Sequence, residues 1–312
     1  MHVFAVPMRA RFRGIDIREG VLVRGPGGWA EFSPFWDYDV RDCAPWWRAA
    51  REAAAGDWPP PRRDTVPVNV TIPAVGPDRA AELVRASAGC RTAKVKVAEP
   101  GQSEAQEQSR VEAVRDALGP GGHIRVDANG AWDVETAIRR IRALDCAAGG
   151  LEYAEQPCLT LDELRAVRRR VDVPIAADES IRRAADPNRV RLAGAADIAV
   201  LKVAPLGGVR AALEIAERCG LPVVVSSALE TSVGIAAGVA LAAALPELPY
   251  ACGLATVALL SRDVVAQPLL PIDGALPVRR PAPDAALLAA VAADEATRKR
   301  WQARVGAVKD LG

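Results

Sequence analysis

HIRVDANGAWDVETAIRRIRALDCAAGGLEYAEQPC, residues 123–158, decides the fold. Its first part, HIRVDAN, alternates apolar Ile124 and Val126 with polar neighbours, the period-two pattern of a strand. Its middle, DVETAIRRIRAL, carries apolar residues at helical spacing, and GLEYAE at 150–155 reads as a strand again. Strand, helix and strand within 36 residues make a βαβ unit, whose two strands lie parallel. Each strand ends on an acid, Asp127 and Glu155, 28 residues apart.

The same rhythm extends in both directions. Eight candidate strands are VPVNVTIPAV near 66–75, AKVKVA at 93–98, HIRVDAN at 123–129, GLEYAE at 150–155, VPIAAD at 173–178, ADIAVLKV at 196–203, PVVVSSA at 222–228 and PYACGLA at 249–255. Amphipathic segments such as SRVEAVRDAL, LDELRAVRRRV and VRAALEIAERC separate them, seven helices in all. Eight strands with seven helices over about 190 residues predict an α/β fold, a modified TIM barrel written (β/α)7β. The rival is a doubly wound sheet, which would carry a Gly-rich phosphate loop after its first strand. Here the sequence after Val75 is GPDRAAEL, with no GxGxxG.

Outside 65–257 the rhythm is lost. Residues 1–64 hold strand-like stretches around RARFRGIDIREGVLVRG and then Trp- and Pro-rich connections, predicting a separate N-terminal module with Pro59–Pro61 in the linker. The Pro-rich tail, 258–312, is expected to pack back on that module. Trp46, Trp47 and Trp58 are expected between module and barrel, with coverage of a pocket as the alternative.

Composition narrows the function. Half of the 312 residues are apolar, and 40 basic against 39 acidic side chains give a charge of +1, so no overall field favours nucleic acid or an anionic membrane. A small-molecule substrate is the expectation. The six cysteines form neither a CxxC pair nor a zinc spacing and read as reduced, mostly buried thiols. The N-terminus lacks the features of a signal peptide, and Val233–Leu245 falls short of the roughly 20 residues needed to span a bilayer. The expected location is cytoplasmic, and that stretch is expected as a core helix.

In a β/α barrel, catalytic groups stand at the C-terminal ends of strands. Lys94 and Lys96, Asp127, Glu155, Asp178 and Lys202 all end apolar runs, and the intervals from Lys96 onward are 31, 28, 23 and 24 residues, each one βα unit. Three carboxylates converging there without histidine suit a hard cation such as Mg²⁺ or Mn²⁺. His2 stands at the terminus and His123 at the wrong end of its strand, so lysine must do the proton work. A lysine at its usual pKa of about 10.4 must fall about three units to act as a base near neutrality, a cost of about 4 kcal/mol. Lys94 and Lys96, two apart on a strand, leave the same face and disfavour each other's charge. Lys202 approaches from across the mouth.

Each residue alone has a plainer reading. Asp127 and Asp178 could cap helices, Glu155 could pair with an arginine, and either lysine could be a barrel-end charge. The joint order Lys, Asp, Glu, Asp, Lys at one-unit spacing is what chance explains poorly. Arg125 and Asn129 share the parity of Asp127 and are candidates for supporting the metal or reaching the substrate, with a buried ion pair the alternative for Arg125. Glu152 and Glu179 read as structural supports.

At these residues the chain resembles the enolase superfamily and its muconate-lactonizing subgroup. AKVKVA is similar to that subgroup's Lys-x-Lys strand, VDANGAW to its metal strand, EYAEQPC to its Glu-Gln-Pro strand, AADES to its Asp-Glu-Ser strand and LKVAPLGGV to its second catalytic lysine. FRGIDIREG, EFSPFWDY and VVVSSALETSVG resemble the actinobacterial branch of the o-succinylbenzoate synthase family. The resemblance implies an α+β capping domain built from the N-terminal segment and the tail. It implies Asp127, Glu155 and Asp178 as Mg²⁺ ligands, Lys96 as general base, Lys202 as stabiliser of the anion, and Lys94 bonded to the substrate carboxylate. The implied reaction is syn dehydration of 2-succinyl-6-hydroxy-2,4-cyclohexadiene-1-carboxylate to o-succinylbenzoate, in menaquinone biosynthesis. Ser226, Ser227 and Thr231 are implied near the succinyl tail, and a lid is implied from about Arg11 to Glu19. N-succinylamino-acid racemisation, dipeptide epimerisation and muconate cycloisomerisation remain rival reactions for the same site. A non-catalytic ligand-binding barrel is the rival of another class.

Overall fold

The structure is a computed structural model and describes residues 1–182 and 194–311. Strands β1 (His2–Phe12), β2 (Ile15–Gly25) and β3 (Gly28–Phe32) form an antiparallel sheet in that order. Helix α1 (Val40–Ala55) packs on it. Asp39 starts α1, its carboxylate accepting from the Asp42 N–H at 2.7 Å, and Gly56 ends it in the left-handed conformation that glycine reaches without strain.

The barrel strands are β5 (Val70–Ile72), β6 (Thr92–Lys96), β7 (His123–Asp127), β8 (Tyr153–Glu155), β9 (Ile175–Ala177), β10 (Ile198–Lys202) and β11 (Val223–Ser226), all parallel and in sequence order. Tyr153, Ala176, Ile198, Val200 and Val224 fill the barrel interior, while a larger apolar layer lies between strands and helices. Those helices are α2 (Pro77–Arg85), α3 (Glu104–Leu118), α4 (Val134–Ala148), α5 (Leu161–Arg168), α6 (Glu179–Arg182), the short α7 (Val203–Leu206), α8 (Val209–Cys219) and α9 (Ser232–Ala244). Ser103 with Gln106, and Thr160 with Glu163, form reciprocal capping boxes that fix where α3 and α5 begin. Helix α9 is apolar all round and buried, as its sequence predicts. Among the described residues no helix is long and apolar enough to cross a membrane.

Two strand expectations shift. The run 66–75 divides: β4 (Thr65–Pro67) pairs antiparallel with β12 (Ala275–Pro277), and only Val70–Ile72 joins the barrel sheet. The eighth strand shrinks to Cys252 and Gly253, which bridge Val68 on one side and Ser226 on the other and so close the barrel. Gly253 is required there, because a Cβ would stand 2.7 Å from the Ser226 hydroxyl.

The tail continues into α10 (Ala285–Ala290) and α11 (Glu295–Lys309). Helix α11 lies on α1 and β1. Trp301 is fully buried, edge-on to Phe32 at 6.0 Å, and its indole N–H donates to Glu19 at 3.1 Å. Arg304 donates to the carbonyls of Phe35 and Tyr38 at 2.8 and 2.6 Å. The N-terminal module therefore takes part of its core from the chain's other end. Trp301→Ala empties that core and is expected to cost about 3–5 kcal/mol in urea unfolding. A loss under about 1 kcal/mol would show that the tail is dispensable to the module.

Candidate active site

Parallel pairing sets the site. Lys96, Asp127 and Glu155 are register partners on β6, β7 and β8, so their side chains emerge at one level, and Lys94 stands two residues below Lys96 on the same face. Lys94 Nζ bridges Asp127 at 2.8 Å and Glu155 at 2.9 Å. Lys96 Nζ donates to Asp127 at 2.6 Å and to the Asn129 side-chain carbonyl. Lys202, ending β10, donates to Asp178 at 2.6 Å. All six expected lysines and carboxylates therefore meet at the mouth, and for Asp127 and Glu155 the plainer role does not hold. Asp133, not Asp127, caps α4, and Glu155 pairs with lysine rather than arginine.

Burial and like charge decide the protonation of this cluster. Burial, with Asp127 and Asp178 close by, pushes the Glu155 carboxyl up to about 7. Burial also works against the Lys94 ammonium, but Asp127 and Glu155 outweigh it and hold Lys94 well above the usual lysine range. Lys96 goes the other way: burial, helped by the neighbouring Lys94 charge, lowers it despite Asp127. Asp127, held by both ammonium groups against the cost of burial, lies far below the usual carboxylate range. The two lysines of one strand are thus split into a fixed cation and a group nearer to giving up its proton.

Among the described residues no three His, Cys, Asp or Glu side chains are grouped as a ready-made metal site, and the three carboxylates are paired with Lys94, Lys96 and Lys202. The donor chemistry nonetheless fits a hard divalent cation. Asp127, Glu155 and Asp178 are buried oxygen donors at adjacent strand ends.

The cavity above these groups is lined by Phe12 and Arg13 at the β1–β2 turn, by Phe35, Tyr38 and Trp46 of the N-terminal module, and by Thr71, Asn129, Ser226, Ser227, Ala228 and Leu229 of the barrel. The Phe12 ring stands 5.4 Å from Lys96 Nζ, so the hairpin turn covers the mouth. Ser226 and Ser227 face the cavity, the latter sharing a 2.7 Å hydrogen bond with Thr256.

Two expected substrate contacts do not reach it. Arg125 is fully buried inside the barrel, donating to Glu152 and, at 2.7 Å, to the Ala251 carbonyl, because its position two residues before Asp127 lies one layer deeper. Thr231 is the N-cap of α9, and its hydroxyl donates to Glu31 of the N-terminal module at 2.5 Å. Asn129 lines the cavity, with its amide also donating to Glu179 at 3.2 Å.

Several supporting residues escaped the sequence reading. Gln156, buried and at φ 40°, accepts from the N–H groups of Asp178 and Ser180 at 3.0 and 3.1 Å, tying β8 to the end of β9. Arg110 donates to the carbonyls of Val75 and Lys96, both at 2.7 Å, and Glu107 accepts from the left-handed Ala98 at 2.6 Å. Leu229 is held at φ 64°, a conformation that costs a non-glycine residue about 1–3 kcal/mol. Arg110 and Glu107 are legible in the sequence only as charges on the buried face of α3, while Gln156 and Leu229, in loops after their strands, give no such signal.

The chain matches the model of the enolase C-terminal domain-like family over residues 78–289 and that of the enolase N-terminal domain-like family over residues 3–54. It is 68% identical over 306 residues to the o-succinylbenzoate synthase of Thermobifida fusca (strain YX), covering 98% of this chain and 95% of that one. It is 55% identical over 311 residues to the o-succinylbenzoate synthase of Mycolicibacterium smegmatis, covering 100% and 95%. Among solved structures, a muconate lactonizing enzyme from Pseudomonas fluorescens complexed with muconolactone superposes with a TM-score of 0.80 at 22% identity, over 94% of this chain and 97% of that one. The L-Ala-D/L-Glu epimerase from Bacillus subtilis superposes at 0.76 with 24% identity, over 90% and 95%. These two share the fold.

Glu31 gives a stability test. Burial raises it to about 7 from an ordinary 4.5, against the pull of Arg18. Between those values the folded protein keeps a proton that the unfolded chain has lost, so stability falls as pH rises through the window and levels off above about 7. Glu31→Gln is expected to remove its own share of that slope, on the order of 3 kcal/mol between pH 4.5 and 7, in urea titrations at stepped pH, leaving the share of Glu155, which is raised over the same window. An identical slope in the variant would refute it.

Proposed function

The chain belongs to the enolase superfamily and, within it, to the o-succinylbenzoate synthases, and from that premise we propose that Lys96 is the base that dehydrates 2-succinyl-6-hydroxy-2,4-cyclohexadiene-1-carboxylate to o-succinylbenzoate. The observation that carries this reading is the split pair on β6: Lys94 pinned between Asp127 and Glu155, and Lys96 lowered beside it at the cavity floor.

Superfamily members use a divalent metal, and for this chain we assign Mg²⁺, with Mn²⁺ suited to the same oxygens, to Asp127, Glu155 and Asp178. When bound, it supplies positive charge that offsets the second negative charge a carboxylate gains as its α-carbon is deprotonated. Lys96 Nζ takes the α-proton and returns it to the departing β-hydroxyl on the same face, so that water leaves and the ring becomes aromatic. Lys202, from across the mouth, keeps its proton and offers an ammonium to the anion. Lys94 acts as a fixed charge against the carboxylate. Phe12 and Arg13, at the turn of the lid, exclude water while the anion exists. The product serves menaquinone biosynthesis, and the reading includes a cytoplasmic location, in keeping with six cysteines of which five are buried.

Racemisation on the same site would need both lysines to exchange protons, whereas dehydration needs one base. Lys96→Ala and Lys96→Arg are each expected to lower kcat by about 10²–10⁴, while Lys202→Arg, which keeps the cation, costs much less. Full dehydratase turnover in Lys96→Ala would overturn the assignment. Stripping the enzyme with a chelator is expected to abolish turnover and added Mg²⁺ to restore it; undiminished turnover by stripped enzyme would contradict the metal assignment.

A further inference from the structure

Arg18 lies in the middle of β2, buried between the capping domain and the barrel, and takes no part in the lysine and carboxylate cluster. Its guanidinium donates from Nε to the Leu229 carbonyl at 3.0 Å, and from Nη2 to the Ala228 carbonyl at 3.1 Å, to the Ser33 hydroxyl at 2.9 Å and to the Ser33 carbonyl. Nη1 donates to the Glu19 carbonyl at 3.0 Å, and the group stacks 4.4 Å from the centre of the Phe35 ring. The loop it grips is the one that carries the left-handed Leu229. The same loop is pinned at its other side, where Glu230 accepts from the Ala228 N–H at 2.6 Å and Glu31 accepts from the Thr231 N–H at 3.0 Å.

Ala228, Leu229 and Phe35 all line the active-site cavity. A carboxylate whose α-carbon reacts must sit at Lys96 and the strand-end acids. The rest of the substrate then extends toward the wall the lysines do not make, which is Ser226 to Leu229 backed by Phe35. A non-glycine residue stays left-handed only where its surroundings over-determine it, and Arg18 supplies two of the bonds that do so. Its planar fork fits several fixed oxygens at once, which a lysine cannot reproduce.

We propose that Arg18 is a positioning residue for the dehydration: acting through the Ala228 and Leu229 carbonyls, it sets the cavity wall that receives the substrate's tail and so sets discrimination for tail length. The proposal rests on the reaction assigned above. It places a specificity determinant on the capping domain at a residue that touches no substrate atom.

The test uses Arg18→Lys in the full-length, Mg²⁺-supplemented protein. Binding of o-succinylbenzoate and of 2-acetylbenzoate, which has the same ring carboxylate and a cut-back tail, is measured by calorimetry. The dissociation constant for o-succinylbenzoate is expected to rise about tenfold or more and that for 2-acetylbenzoate to stay within about twofold. Amide exchange at 226–231 is expected to quicken while 92–96 and 123–127 stay protected. Equal weakening of both ligands, or no weakening of either, would overturn the proposal. Ser33→Ala removes one acceptor of Arg18, together with the 2.6 Å bond from the Ser33 hydroxyl to Glu31, while Glu31 keeps its bonds from Thr231, and the same selective pattern at smaller size is expected from it if Arg18→Lys folds poorly. Ser33→Ala with both affinities unchanged and 226–231 still protected would overturn it too. Wild-type protein that binds the two ligands equally would count against the dehydratase reading, and exchange at 226–231 then decides the hold of Arg18 on the loop by itself.

Discussion

The register of three parallel strands is the constraint on which the rest depends. Because Lys96, Asp127 and Glu155 are direct partners across β6, β7 and β8, an amine and two carboxyl groups are delivered to one level without any loop having to place them. A one-residue slip in any of these strands would turn its side chain to the opposite face, into the apolar layer under the helices. The polar supports act on that register. Arg110 clamps the carbonyls that follow β5 and end β6, and Gln156 ties the end of β8 to that of β9. Both spend a buried polar group, at the usual desolvation cost, to fix strand ends rather than to fill the core.

Charge balance follows from that placement. Three carboxylates and three ammonium groups share a mouth from which water is largely excluded, and each ion is stable only because of the others. Such a cluster resists the loss of one proton from one lysine, which is what base catalysis demands. The asymmetry of β6 resolves the conflict. Lys94 contacts two carboxylates and remains a cation, while Lys96 contacts one carboxylate and one amide and bears the repulsion of Lys94. A cation among the oxygens would free the ammonium groups from them, so the donor set and the need for a neutral lysine point the same way.

The strand-end chemistry was legible in the sequence because barrel strands have a simple rule: an apolar run, then a polar residue at the mouth. Lys96, Asp127, Glu155, Asp178 and Lys202 all obey it. Arg125 takes the second of its two readings, a buried ion pair with Glu152, since parity names a face and not a depth, and two residues back from Asp127 is one layer inside the barrel. Thr231 was misread for another reason. Its hydroxyl accepts from the Val233 N–H two residues on as the cap of α9 and donates across the domain boundary to Glu31, 200 positions away, which a local pattern does not show. The reduced eighth strand and the division of 66–75 were hidden likewise. Pairing of β4 with β12 joins residues some 200 positions apart, which a local pattern cannot announce.

The two halves of the cavity answer to different physics. Its floor is made of strand ends, where a shift of even one residue destroys the chemistry. Its walls come from the β1–β2 turn and the loop after β11, held by hydrogen bonds to main-chain carbonyls that tolerate many side chains. Changing a wall therefore need not disturb the floor. The coupling between them runs through the capping domain, which needs the C-terminal helix for its core and the barrel loop for the partners of Arg18 and Glu31. Removing either end of the chain would loosen the walls before it touched the lysines, so loss of fit to the substrate should precede loss of the catalytic cluster as the module is destabilised.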